Sequence, residues 1–379
     1  MRFEDLIGQE HALRILRTAL TRGRVLHAYL FSGPESVGKS TAARLFAQAL
    51  NCEFDASKAP CGACRSCSLI ERGNHPDVRT VTIGIDSDGK RRSEISIDQI
   101  RHNPNKPREY PPPVIQDAHL KPALGRHKVY IIDPADRMTD EASNSLLKLL
   151  EEPPRQVVLV LVTSEPSSLL PTVLSRCQHI LFHLVGIADV EKALRMLDVD
   201  ADSVAPLARL SGGQIAWAIR VAQQPEVLSV RRSLLELCTE IDALIIQRGL
   251  RLAEAIKLHA ARVVLDSDGS ANEVSDDETT SSIIAAAGDR ALRSTLPWCL
   301  DVMVSWYRDT LAFQHSVQLL NPDFEADMPR EPIPAVGEVE YAIHRILETK
   351  RAIQRNANID LTLESLAIDL IGGLRGDES

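Results

Sequence analysis

The chain has no run of the roughly 18 to 20 apolar residues that a membrane span needs, and its opening residues, MRFEDLIGQEH, lack the apolar core of a secretory signal. The cytoplasm is therefore the expected compartment, with no membrane partner. There is no surplus of basic residues either: 43 Lys and Arg stand against 52 Asp and Glu, for a net charge of −9. That excludes a chain that is basic everywhere, as a stand-alone nucleic-acid binder often is, so any DNA contact has to be local or shared with partners. Cysteine is scarce, seven in 379 residues, four of them in one short stretch. Such a pattern in a reducing compartment points away from a disulfide framework. What the chain does have is 44% hydrophobic residues, enough to bury a core in two or three domains.

DLIGQEHALRILRTALTRG (5–23) carries leucine and isoleucine at helical spacing after a Gly-Gln turn. AYLFSG (28–33) reads as a short buried strand. GPESVGKS follows, and TAARLFAQALNC continues as a helix with Leu45, Phe46, Ala49 and Leu50 along one side. Later strands fit VRTVTI (78–83), KVYIID (128–133) and VVLVLVT (157–163), the last apolar on both faces as a buried parallel strand is. TDEASNSLLKLLEEPP predicts a helix capped by Thr139, with acids in its first turn, Leu146, Leu147 and Leu150 facing inward, and the double proline as its stop. Alternating strands and helices predict a three-layer α/β domain up to about residue 183. Beyond it no convincing strand remains. Residues 184–225 predict a small group of helices broken at Ser211-Gly212-Gly213, and 226–379 a larger helical domain. DSDGSANEVSDDETTSS (266–282), with six acidic residues and no basic one, has the composition of a solvated loop.

GPESVGKS matches G-x-x-x-x-G-K-[ST] in full and lies between a strand and a helix. Glycines let the backbone wrap closely around phosphates, while amide hydrogens and the helix N-terminus hold their charge. The candidate nucleotide-binding residues are Gly33, Pro34, Glu35, Ser36, Val37, Gly38, Lys39 and Ser40. Lys39 would reach the β and γ phosphates and the Ser40 hydroxyl would ligate Mg²⁺, with Thr41 as a fallback. The strand VYIID ends in Asp133, which can hold Mg²⁺ through water. The next position, where a nucleotide hydrolase carries the acid that activates water, holds Pro134. Asp136 stands three positions along, which an extended strand would carry about 10 Å away.

Cys52, Cys61, Cys64 and Cys67 can give four thiolates to one tetrahedral ion, within a module of about 52–75. Zinc suits the set best, and a closed thiolate shell makes its role structural. An iron–sulfur cluster and simple packing cysteines are the competing readings. Cys177, Cys238 and Cys299 read as small packed residues.

HAYLFSGPESVGKST, the cysteine module directly after the loop helix, SNSLLKLLEEPP, LSRC and NANIDLTLESLAIDL occur in one order along the chain. In that order they resemble the bacterial clamp-loader ATPases of the AAA+ class. The resemblance implies an AAA+ P-loop domain (1–183) with a zinc module insert, a helical lid (184–225) and an all-α collar (226–379). It implies ATP with Mg²⁺ as a ligand, and gamma or tau motor subunits, a delta subunit, the sliding clamp and primed DNA as partners in a replisome at the nucleoid. Polymerase chemistry is not implied for this chain. Carried over residue by residue, Arg176 in LSRC matches the arginine finger given in trans, Thr163 matches the sensor position, and Gly8 and Gln9 match the segment near adenine. Two departures stand out. Pro134 replaces the acid, and GGQIAWAI lacks the γ-phosphate-sensing arginine, with Ala216 near that place. Both point to a subunit with a weak or lost ATPase of its own. A motor that hydrolyses ATP itself, or an AAA+ regulator of another DNA transaction, are the alternatives.

Overall fold

The computed structural model describes residues 2–55, 57–84, 92, 94–102, 112–241, 249–267, 280–329 and 334–373. Its five strands, β1 (Ala28–Ser32), β2 (Val78–Val81), β3 (Lys128–Ile132), β4 (Val157–Thr163) and β5 (Gln178–Leu181), form one sheet in the order β2-β3-β4-β1-β5. Every neighbouring pair is parallel. Successive side chains point to opposite faces. Tyr29, Phe31, Val129, Ile131, Val158, Val160 and Val162 therefore meet α1 (Glu10–Thr21) and α2 (Lys39–Asn51), while α3 (Arg65–Glu71) adds Ile70 to the same layer. Leu30, Tyr130, Ile132, Leu159 and Leu161 meet the other layer, built from α4 (Ile97–Ile100), α5 (Val114–Ala118), α6 (Asp140–Glu151) and α7 (Pro171–Leu174). The result is the expected three-layer α/β arrangement, with β1 delivering its loop at the C-terminal edge beside β4, where ligands of open parallel sheets bind.

Two local expectations are corrected. β5 is a fifth strand where none was read: an edge strand whose only buried residue is Ile180 carries no apolar periodicity to betray it. In α6, Leu149 is buried and Leu147 only half-buried, because the inward stripe runs Ala142, Leu146, Leu149, Leu150 at 3.6-residue spacing. Thr139 does cap this helix, accepting the Ala142 amide at 3.2 Å.

Contacts divide the chain into two compact units, 1–190 with 213–216, and 191–212 with 217–379. From residue 187 onward the described chain is helical: α8 (Ile187–Arg195), α9 (Ala201–Leu210), α10 (Ile215–Ala222), α11 (Pro225–Ile241), α12 (Gly249–Ser267), α13 (Thr280–Ala287), α14 (Asp289–Gln314), α15 (Val336–Gln354) and α16 (Ile359–Gly373). The core of the second unit includes Leu296, Leu300, Met303, Ile346, Ile353, Leu363 and Leu366. In the same unit the Arg231 guanidinium donates to both oxygens of Asp323, at 2.7 and 2.8 Å. Residues 268–279 of the acidic stretch lie outside the described residues, and its ends belong to α12 and α13. Among the described residues no helix is long and apolar enough to cross a membrane.

Candidate functional site

The loop from Gly33 to Ser40 is shaped by three contacts from outside it. Gly33 has φ +141°, and a Cβ there would lie 2.2 Å from the Phe182 carbonyl oxygen, so no other residue fits. Gln9, buried between the loop and the segment after β5, donates its side-chain amide to the carbonyls of Val37 (3.2 Å) and His183 (2.7 Å) and accepts the His183 amide at 3.2 Å. The Ala216 amide donates to the Ser36 carbonyl at 2.8 Å. Gly8 precedes Gln9 with φ +75° and packs on Val185. Gly8, Gln9 and Ala216 thus stand in the wall of the loop.

At the start of α2, Lys39 is only 7% exposed, and its ammonium donates to the loop carbonyls of Gly33 (2.7 Å) and Pro34. Burial lowers its pKa, an effect opposed by Asp133, Glu35 and Asp136. The Ser40 hydroxyl donates to Asp133 at the end of β3. Burial raises the Asp133 carboxyl above the ordinary range, against the Ser40 hydrogen bond and the Lys39 charge, and Asp136 adds to the rise. Thr41 sits half-buried one residue farther into α2, and Val37 is buried, while Pro34 and Glu35 are exposed on the loop.

The expectation for Asp136 is overturned. Beyond Asp133 the chain turns into a short 3-10 segment, Ala135–Arg137, with Pro134 at its N-cap. The Ile95 amide pins this turn through the Arg137 carbonyl at 2.7 Å, and the Thr139 amide bonds Ile95 in return. The reversal brings Asp136 onto Thr163, whose hydroxyl donates to Oδ1 at 2.5 Å. Sequence reasoning set Asp136 aside by extrapolating an extended strand. The usable signal was the proline, which breaks a strand and opens turns.

The four predicted cysteines converge, with Cys52, Cys61, Cys64 and Cys67 sulfurs all within 4.8 Å of one another. The Cys61 and Cys67 sulfurs are 3.9 Å apart, close to the about 3.8 Å that a tetrahedral ion at 2.3 Å from each sulfur requires. The amides of Cys64 (3.2 Å) and Ala63 (3.4 Å) point at the Cys61 sulfur, and the Cys67 amide points at that of Cys64. Burial opposes ionisation of Cys61, but the Ala63 and Cys64 amides and the neighbouring thiols overcome it and bring its pKa down to about 7. Burial pushes the Cys52 and Cys67 thiols up. The set fits a metal ion closed on all sides by sulfur. It is tied to α2 by Gln48, which is fully buried and donates to the Cys67 carbonyl at 2.9 Å.

Arg176 stands apart from these groups, on the turn after α7 with its side chain 35% exposed. Its guanidinium bonds Glu151 at 2.8 Å and the Thr172 carbonyl at 3.0 Å.

The family described as "DNA polymerase III, delta subunit" matches residues 8–185. Over the whole chain, the DNA polymerase III subunit delta' of Bacillus subtilis is 28% identical across 369 residues, covering 96% of this chain and 97% of that protein. Residues 8–185 of this chain belong to the DNA polymerase III clamp-loader family. Other members are more alike over a shorter stretch. The tau subunit of Escherichia coli is 40% identical over 196 residues, which is 52% of this chain and 27% of that protein, and the tau subunit of Bacillus subtilis is 35% identical over 245 residues, 62% of this chain and 40% of that protein. The chain thus spans about a quarter to two fifths of these tau relatives. The phosphate loop leads into the N-terminal end of α2, and the cysteine cluster starts at the cap of its C-terminal end.

Proposed function

We propose that this chain is a delta-prime subunit: a stator that holds nucleotide with little or no turnover and lends Arg176 to a neighbouring motor. In this reading residues 1–183 are the nucleotide-binding domain, 184–225 the lid and 226–379 the collar. The partners are gamma or tau and delta subunits, in a cytoplasmic assembly that uses ATP to open the sliding clamp and load it on primed DNA. The observation that carries the reading is the end of β3, where Pro134 takes the place of the acid and leaves Asp133 as the only carboxylate on the strand end itself. The near-complete reciprocal coverage of the Bacillus subtilis delta' protein supports it. So does Arg176, which is exposed enough to reach another subunit, where a guanidinium stabilises charge on a γ-phosphoryl group by several powers of ten in comparable enzymes.

Gly8 and Gln9 would flank the adenine, the Gly33 to Ser40 loop would hold the phosphates, and Ser40 with Asp133 would hold Mg²⁺. The cysteine cluster is read as a structural zinc site, since four thiolates leave no open position. Arg176→Ala in the reconstituted loader should lower ATP turnover by at least about a hundredfold at the dependent site while assembly persists. Unimpaired clamp loading by that variant sinks the finger. Strong turnover by the isolated chain that Lys39→Ala abolishes sinks the stator reading in favour of a motor. Metal analysis finding iron instead of zinc replaces the zinc reading.

A further inference from the structure

Thr163 ends β4 directly opposite Ser32, one residue before the phosphate loop begins. Its proton is committed: the hydroxyl donates to Asp136 at 2.5 Å, and it accepts the Glu165 amide at 2.9 Å. A threonine has one proton to give. The carboxylate that takes it has a side chain only 8% exposed, with Arg137 Nε 3.9 Å away. Across the mouth of the loop Asp133 takes the Ser40 hydroxyl, and the Lys39 ammonium is drawn back onto the carbonyls of Gly33 and Pro34. The charges of Asp133, Glu35 and Asp136 all act on the Lys39 ammonium.

We propose that Asp136 is a positioning residue that sets nucleotide choice, holding Thr163 so that the site takes a nucleoside diphosphate at least as readily as a triphosphate. The inference rests on the reading of Gly33 to Ser40 as a nucleotide loop. A diphosphate meets the loop amides, the α2 N-terminus and Lys39, and asks nothing of Thr163. A third phosphate has to draw the Thr163 proton away from the Asp136 carboxylate oxygen that already takes it at 2.5 Å. It also brings its own charge toward Asp136, which holds no Mg²⁺ in this reading, in a partly dehydrated site. A stator built this way keeps its own loop filled while its neighbour cycles.

The test titrates fluorescent ADP and ATP, each with Mg²⁺, into the full chain and three variants. The wild-type chain is expected to bind ADP as tightly as ATP or more tightly. Thr163→Val should change ATP affinity by less than about twofold, because the hydroxyl is already committed. Asp136→Asn should strengthen ATP binding about fivefold or more, the equivalent of removing roughly 1 kcal/mol of repulsion, with ADP moving less than twofold. Asp136→Ala should shift the ratio the same way, and should it fail to fold, Asp136→Asn, which keeps an acceptor for Thr163, carries the test. Wild-type preference for ATP by more than about twofold, a selective loss of ATP binding in Thr163→Val, or an unchanged ratio in Asp136→Asn overturns the proposal. Failure of the wild-type chain to bind ADP at all is a different outcome, which overturns the nucleotide-loop reading and this inference with it.

Discussion

At its N-terminal end α2 begins on Lys39 behind a glycine with φ +98°, and at its C-terminal end it is capped by Cys52, the first of four converging thiols. The helix dipole favours anions at the first end, while the four-thiolate shell at the second end gains nothing from it. The means differ. The N-terminal site is held by contacts that need no ligand: the Gly33 backbone on Phe182, Gln9 on Val37 and His183, and Ala216 on Ser36. The C-terminal site gathers groups of which two, Cys52 and Cys67, are kept toward the neutral thiol by burial, and a metal ion is what offsets that tendency. One end is preformed and the other is completed by what it binds.

The strongest way to break this comparison is to remove the ion. Joint Cys61→Ser and Cys64→Ser substitution, or chelation, is expected to raise hydrogen exchange across Arg65–Glu71 by at least about a hundredfold, on the order of 3 kcal/mol of local stability. ADP affinity should move less than about threefold. A collapse of ADP binding together with the module would show that the two ends are not independent. Gly33→Ala tests the other end: the steric overlap with Phe182 should cost about 2 to 3 kcal/mol in urea unfolding and abolish ADP binding, with metal content intact. Gln48→Ala probes the bond between helix and module, and should cost roughly 1 to 3 kcal/mol in the same assay by leaving the Cys67 carbonyl buried without its donor. The mildest probe is pH. Because burial lowers the Lys39 pKa, its ammonium is present below that value and lost as pH rises through it. ADP affinity should therefore weaken in the alkaline range at a lower pH than an exposed lysine would dictate, and Lys39→Arg, charged throughout, should flatten the decline.

Both ends of α2 could be read from the sequence because each is written contiguously: eight residues of loop in one place, four cysteines within sixteen residues in the other. Local spacing fixes local geometry, and the cysteines do converge. The acid at the mouth of the loop was not legible in the same way. Asp136 reaches Thr163 across 27 residues, through a turn whose direction depends on Ile95 gripping Arg137 and Thr139. Gln9 bonding His183 spans 174 residues and has no local trace at all. β5 was hidden for the opposite reason, since a half-exposed edge strand needs no apolar pattern.

The burial of α2 has one more consequence. Ten of its thirteen residues are buried, on every side of the helix. Adding or deleting one residue inside it would rotate everything beyond that point by about 100°, turning packed side chains into gaps and swinging the cysteines away from their meeting point. Lys39 and Cys52 are therefore held at a set separation and a set angle, so α2 acts as a ruler as well as a scaffold. Its length is under as tight a constraint as its composition.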